Sequence, residues 1–125
     1  MGFFKKLLGF HDIEVSAKMT VAELQSQFEE QFGTKIRVYK PTAKGTINTG
    51  KGARLASAHD KLGSISLSGA SVYNITIQKN KSVEFIENEF ASKMGVGVQI
   101  MTPDGNTFAP NNMILSKVRS AYADQ

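Results

Sequence analysis

Hydrophobic residues recur along this chain in one order, twice. At residues 11–17, Ile13 and Val15 alternate with polar neighbours, and at 73–79 Ile75 and Ile77 do the same; a period of two predicts a half-buried strand in each place. Apolar residues then follow at three- and four-residue steps, Val21, Leu24, Phe28 and Phe32 in the first copy and Val83, Ile86, Phe90 and Met94 in the second. That spacing lines one face of a helix. The helix ends are also legible. Thr20 with Glu23 forms a capping box, Ser82 offers the corresponding cap, and Gly33 and Gly95 supply the left-handed residue that closes a C-terminus. A second alternating run, at 35–40 and 96–102, is stopped by Pro41 and Pro103. From Ile13 to Pro41 every residue has its counterpart 62 positions later without a gap.

Beyond the second strand each copy continues into a polar loop and a short apolar segment, at 53–58 and at 113–118. Matching Leu55 with Leu115 sets a spacing of 60 there, which makes the first loop slightly the longer. A further strand is expected at 64–68, where Ile65 and Leu67 alternate with serines. Two strand-helix-strand units with right-handed crossovers predict an α+β fold, a ferredoxin-like four-stranded sheet with both helices on one face. The alternative is a tandem of β-grasp-like units. The pattern of helix, strand and short Leu-centred turn around 64–118 looks like ubiquitin, although each copy lacks an obvious closing strand. The expected organisation is an N-terminal amphipathic segment at 1–10 and a single duplicated domain at 11–125, with repeat one at 11–62 and repeat two at 63–125.

Composition narrows the class of protein. A chain of 125 residues buries one core without staples, and 41% apolar with 21% charged residues is the balance of an ordinary globular domain. With no Cys, disulfides, thiolate nucleophiles and sulfur-ligated zinc are excluded. Apolar runs fall short of a membrane span and of a secretory signal, so a cytoplasmic location is expected. The net charge of +4 is modest; its distribution is more telling. No acid lies between Glu30 and Asp60, while Lys35, Arg37, Lys40, Lys44, Lys51 and Arg54 all do.

The run Met19-Thr20-Val21-Ala22-Glu23-Leu24, followed by Phe28, Phe32-Gly33 and Arg37-Val38-Tyr39, resembles small duplicated bacterial α+β proteins of undefined function. The resemblance spans most of residues 11–118. Its motifs are core, cap and turn positions, so it implies an architecture and carries over no catalytic residue.

The segment 45–52 fits the Gly-x-x-x-x-Gly-Lys part of a phosphate-binding loop, but Gly52 stands where a Ser or Thr hydroxyl is needed for magnesium. The motif is therefore read as a false positive, and no cofactor is expected. The basic residues Arg37, Lys44, Lys51 and Arg54 remain candidates for phosphate or nucleic-acid contact through the Gly/Lys loop 40–54. Single-strand recognition on an open sheet wants stacking aromatics. The expected open face instead offers Asp12, Glu14, Ser16, Asn74, Thr76 and Gln78, with Tyr39 beside Arg37 as one stray aromatic.

Phe3, Phe4, Leu7 and Leu8 fall on one helical stripe opposite Lys5 and Lys6; such a stripe fits a protein partner, a second copy of the chain or peripheral contact with a membrane through residues 1–10. The dipeptides His11-Asp12 and His59-Asp60 are too sparse for a metal-dependent hydrolase. Glu23, Glu29, Glu30, Glu84, Glu87 and Glu89 read as helix-surface acids, and no small-molecule substrate is identified. The leading expectation is a non-enzymatic protein-protein interaction or self-assembly module; the alternative is a phosphate or nucleic-acid binder.

Overall fold

Helix formation here is governed by short-range chemistry. The Thr20 side chain accepts from the Glu23 N–H while the Glu23 carboxylate accepts from the Thr20 N–H, so the capping box is complete at the head of α1, Val21–Phe32. The first strand, β1, is Ile13–Val15, and after Gly33 in the left-handed region the chain enters β2, Lys35–Tyr39. In this computed structural model, which describes residues 10–67 and 72–122, the second copy repeats the order. Its elements are β3, Ile75–Ile77, α2, Val83–Glu89, a π turn, Phe90–Met94, and β4, Gly97–Met101. Ser82 accepts from the Phe85 N–H at the head of α2, and Gly95 closes the π turn that continues it with a φ of 69°. The fold is α+β.

Strand pairing departs from the expected single sheet. β1 pairs with β3 and β2 with β4, both antiparallel, giving two two-stranded sheets. In a ferredoxin-like sheet β2 and β4 are the outer strands and do not meet; here they form the longer ladder. The registers explain the arrangement. Glu14 lies opposite Thr76 and Arg37 opposite Gln99, and each of these is paired with its own counterpart 62 positions away. Both ladders are thus centred on one pseudo-two-fold axis, the isologous geometry of a symmetric dimer, contained here within a single chain. The Thr76 hydroxyl donates to the Glu14 carboxylate at 2.9 Å across that axis.

The axis also corrects the matching of the later segments. Tyr39 bridges to Leu55 and its counterpart Met101 bridges to Phe108; Thr20 bridges to Lys61 and Ser82 to Ile114. Backbone bonds agree: Ala56 N–H donates to Val38 O and Ala109 N–H to Ile100 O, while Leu62 N–H donates to Met19 O and Leu115 N–H to Lys81 O. The spacing after the loop is therefore 53, not 60, and Leu55 answers Phe108 instead of Leu115. The first loop, 41–54, is nine residues longer than its counterpart, 103–107. At the strand expected over 64–68, the described residues, through Leu67, form no strand and open on a 3-10 turn, Leu62–Ile65, the equivalent of the start of α3, Leu115–Ala121; Ser68 lies outside them. The expected repeat boundary at 62/63 falls within that turn.

One core serves both copies. Ile13, Val15, Ile75 and Ile77 from one ladder and Ile36, Val38, Val98 and Ile100 from the other are buried with the helical stripes of α1 and α2, and with Leu62, Leu115 and Val118. Each helix is tied to the strand that follows it by the residue at one equivalent position. Gln25 donates to Ile36 O at 3.0 Å, and Glu87 accepts from the Ile100 N–H at 2.8 Å. Partial burial holds the Glu87 carboxyl above its ordinary range, against the opposing effect of that backbone bond and with a further push from Glu84.

Candidate functional site

Alternation along β2 and β4 sends Ile36, Val38, Val98 and Ile100 inward and leaves Lys35, Arg37, Tyr39, Gly97, Gln99 and Met101 on the outer face. The two loops cover that face, each resting on the other copy's strand. The short loop meets β2: the Arg37 guanidinium donates to Gly105 O at 3.0 Å. The long loop meets β4: Gln99 donates to the Thr49 hydroxyl at 3.0 Å. A Cβ on Gly97 would lie 2.7 Å from a methyl of Ile47 and 2.9 Å from that of Thr49. Copy one has Lys35 at the equivalent position, its chain lying where a Cβ on Gly105 would come within 2.9 Å of it. Gly97 is thus the seat that the nine-residue extension requires.

Inside the long loop the backbone is held by its own turns. Thr42 N–H donates to Thr46 O and Gly45 N–H to Thr42 O, while Thr46 N–H donates to the Thr42 hydroxyl. The Thr42 and Thr46 hydroxyls lie 2.7 Å apart. Gly50 N–H donates to the Asn48 side chain, which donates in turn to Lys51 O. Lys40 N–H donates to Arg54 O at 2.8 Å where the loop closes. The amides of Gly45, Thr46 and Gly50, which a phosphate cradle would aim at its ligand, are therefore spent within the loop. The segment 45–52 is a loop docked on β4.

The candidate basic residues separate into two groups. Arg37 is half-buried, with one guanidinium nitrogen donating to Gly105 O. Lys44, Lys51 and Arg54 are exposed on the loop, as is Lys40 at its start, and Arg54 reaches only a long bond of 3.4 Å to Pro41 O. Tyr39 is buried, which removes the one aromatic beside Arg37 as a stacking surface. The polar face of the β1–β3 ladder is engaged locally: Asp12 accepts from the Lys79 N–H and Glu14 from Thr76. Asp60 accepts from the Ser57 N–H, so neither His-Asp dipeptide presents an idle carboxylate. Among the described residues no group of three metal-ligating side chains forms, and no helix is long and apolar enough to cross a membrane. Phe3, Phe4, Leu7 and Leu8 lie outside the described residues.

Two residues absent from the sequence-based candidates join this surface. Ile47, 36% exposed, rides on Gly97, and Leu55, 59% exposed, borders the same face beside Tyr39. The signal that could have found them is Gly97 itself, a glycine in a strand where the other copy has lysine. In the short loop Asp104 closes the turn, and bonds from the Asn106 N–H and the Thr102 hydroxyl hold its carboxyl below the usual range. No family model matches the chain, and comparison with curated proteins and with solved structures finds no similar protein.

Proposed function

We propose that the chain is a non-enzymatic protein-binding module whose contact surface is the docked loop 41–54 with Leu55, and that its partner carries acidic groups. One observation carries the reading: a loop seated on Gly97 and Gln99 presents Ile47 and Leu55 to solvent among Lys40, Lys44, Lys51 and Arg54. Apolar contacts ringed by charges are the usual anatomy of an interface. A loop already ordered by its own hydrogen bonds gives up little further entropy on binding. Of the two architectures, β-grasp-like units that lend each other a strand are favoured, because β1 and β2 find their strand partners in the other copy.

A photo-crosslinking side chain placed at Leu55 in cells that make the protein tests the reading. The expected result is a discrete protein adduct that disappears when Lys51 and Arg54 are both changed to Glu and persists when Glu29 and Glu30 are changed to Gln. No adduct, or one indifferent to charge reversal, overturns it. The exposed cations support a second reading, phosphate or nucleic-acid binding by side chains alone. Binding to short DNA and RNA over a salt series separates the two, because phosphate contacts weaken steeply as salt rises. Sedimentation of the crosslinked product tells a second copy of the chain from a foreign protein.

A further inference from the structure

We propose a second binding site, in the groove between the outer edge of β3 and helix α2, which takes an extended acidic peptide of another protein as an added strand. It shares no residue with the loop surface. The groove has a volume of about 360 Å³ and runs along residues 74–78 on one side and Lys81, Phe85, Glu89 and Lys93 on the other. Those four side chains recur every fourth residue, so they form a single stripe down the helix and its cap. From Lys81 to Lys93 the stripe covers about 18 Å, and residues 74–78 opposite it cover about 13 Å, room for a short extended segment. Both ends of the groove are pinned by backbone bonds, Tyr73 N–H to Lys93 O at 3.0 Å and Lys81 N–H to Gln78 O at 3.2 Å. Among the described residues β3 pairs with β1 alone, and its other edge is in no ladder.

The first copy supplies an internal control. Its equivalent stripe is Met19, Glu23, Gln27 and Gln31. Gln31 accepts the His11 N–H at 3.0 Å through its side chain, where the second copy has Tyr73 N–H bonded to the Lys93 carbonyl, and Glu23 is occupied in the capping box. In the second copy Lys93 pairs with Glu89 along the groove wall at 3.3 Å, and the place of the capping glutamate is taken by Phe85. Only the Ser82 half of the box survives, and Phe85 stands 43% exposed with the Lys81 ammonium 4.9 Å above its ring. Tyr73, at the far end, is 66% exposed where the first copy has His11. A stripe that is polar in one copy carries exposed aromatic residues in the other.

Charge selects the occupant. Of the charged side chains lining the groove, Glu89 is paired with Lys93 and Glu14 beyond the wall is bonded to Thr76, while Lys81 has no carboxylate partner among the described residues; an acid on the peptide would pair with Lys81 while an apolar neighbour packs on Phe85. A phage-displayed library of random peptides panned on the intact chain tests this. Enriched peptides are expected to carry acids beside an apolar residue, to shift the backbone amides of 74–78, and to lose binding when proline is placed at their centre. Phe85→Ala should weaken them by about tenfold or more. Phe85→Glu should stabilise α2 by rebuilding the capping box and still abolish binding, which separates recognition from folding. Changing Lys44, Lys51 and Arg54 to Ala should leave these peptides bound, so failure here is distinct from failure of the loop reading. No enriched peptide, or binding that survives Phe85→Glu or a central proline, overturns the proposal.

Discussion

Substituting Gly97 by alanine tests how the long loop is held. The added methyl would sit 2.7 Å from Ile47 and 2.9 Å from Thr49, so both must retreat by about half an ångström or more to reach ordinary contact near 3.4 Å. Moving Thr49 strains its bond to Gln99, 3.0 Å in length. Overpacking of this kind costs about 1–3 kcal/mol. The low end applies because the obstructing atoms belong to a loop with one face in water. Against it stands a gain of about 0.4–1 kcal/mol from the reduced freedom of the unfolded chain.

Global stability in urea should therefore fall by about 1 kcal/mol or less, while the loop itself undocks more readily. Trypsin reads the loop directly, since Lys44 and Lys51 are its targets. With docking weakened by about 1.4 kcal/mol, cleavage of the folded protein at these lysines should quicken about tenfold. Ile47→Ala removes the nearer methyl, so in a double-mutant cycle the pair should be less than additive by about 0.5 kcal/mol or more. Unchanged tryptic cleavage in Gly97→Ala, or strict additivity with Ile47→Ala, would refute the seating of the loop on this glycine.

Other expectations are simpler. Glu87→Gln keeps an oxygen for the Ile100 N–H and reproduces the Gln25 of the first copy. Because burial raises the folded carboxyl above its unfolded value, the native state binds the proton more tightly, and the wild-type chain gains stability as pH falls through that window. The variant should accordingly raise the urea midpoint at pH 7 and lose that advantage toward and below pH 4.5. Phe28→Ala empties a fully buried site whose ring centroid lies 5.3 Å from that of Phe32; a loss of about 3–5 kcal/mol should bring urea unfolding close to the onset for a domain of this size. Changing Lys44, Lys51 and Arg54 together to Ala should leave the thermal midpoint within a few degrees of the parent, since these side chains are exposed and carry no short bond.

The elements and their ends were legible in the sequence because the forces that set them act over a few residues. The Thr20–Glu23 box, the glycines at 33 and 95 and the helical stripes needed only local spacing, and each stands in the structure. The loop was visible as the place where the copies diverge, with its exposed lysines. Its length was misjudged, since Leu55 and Leu115 match in type but not in the bonds their neighbours make. Arg37 read as a free cation and is tied to a carbonyl 68 residues away.

What only the tertiary structure decided is which edges meet. A strand's alternation specifies a buried face but not a neighbour. β1 and β2 acquire partners when the two copies close about their common axis, and the same closure seats the long loop on Gly97 and leaves Phe85 beside the outer edge of β3.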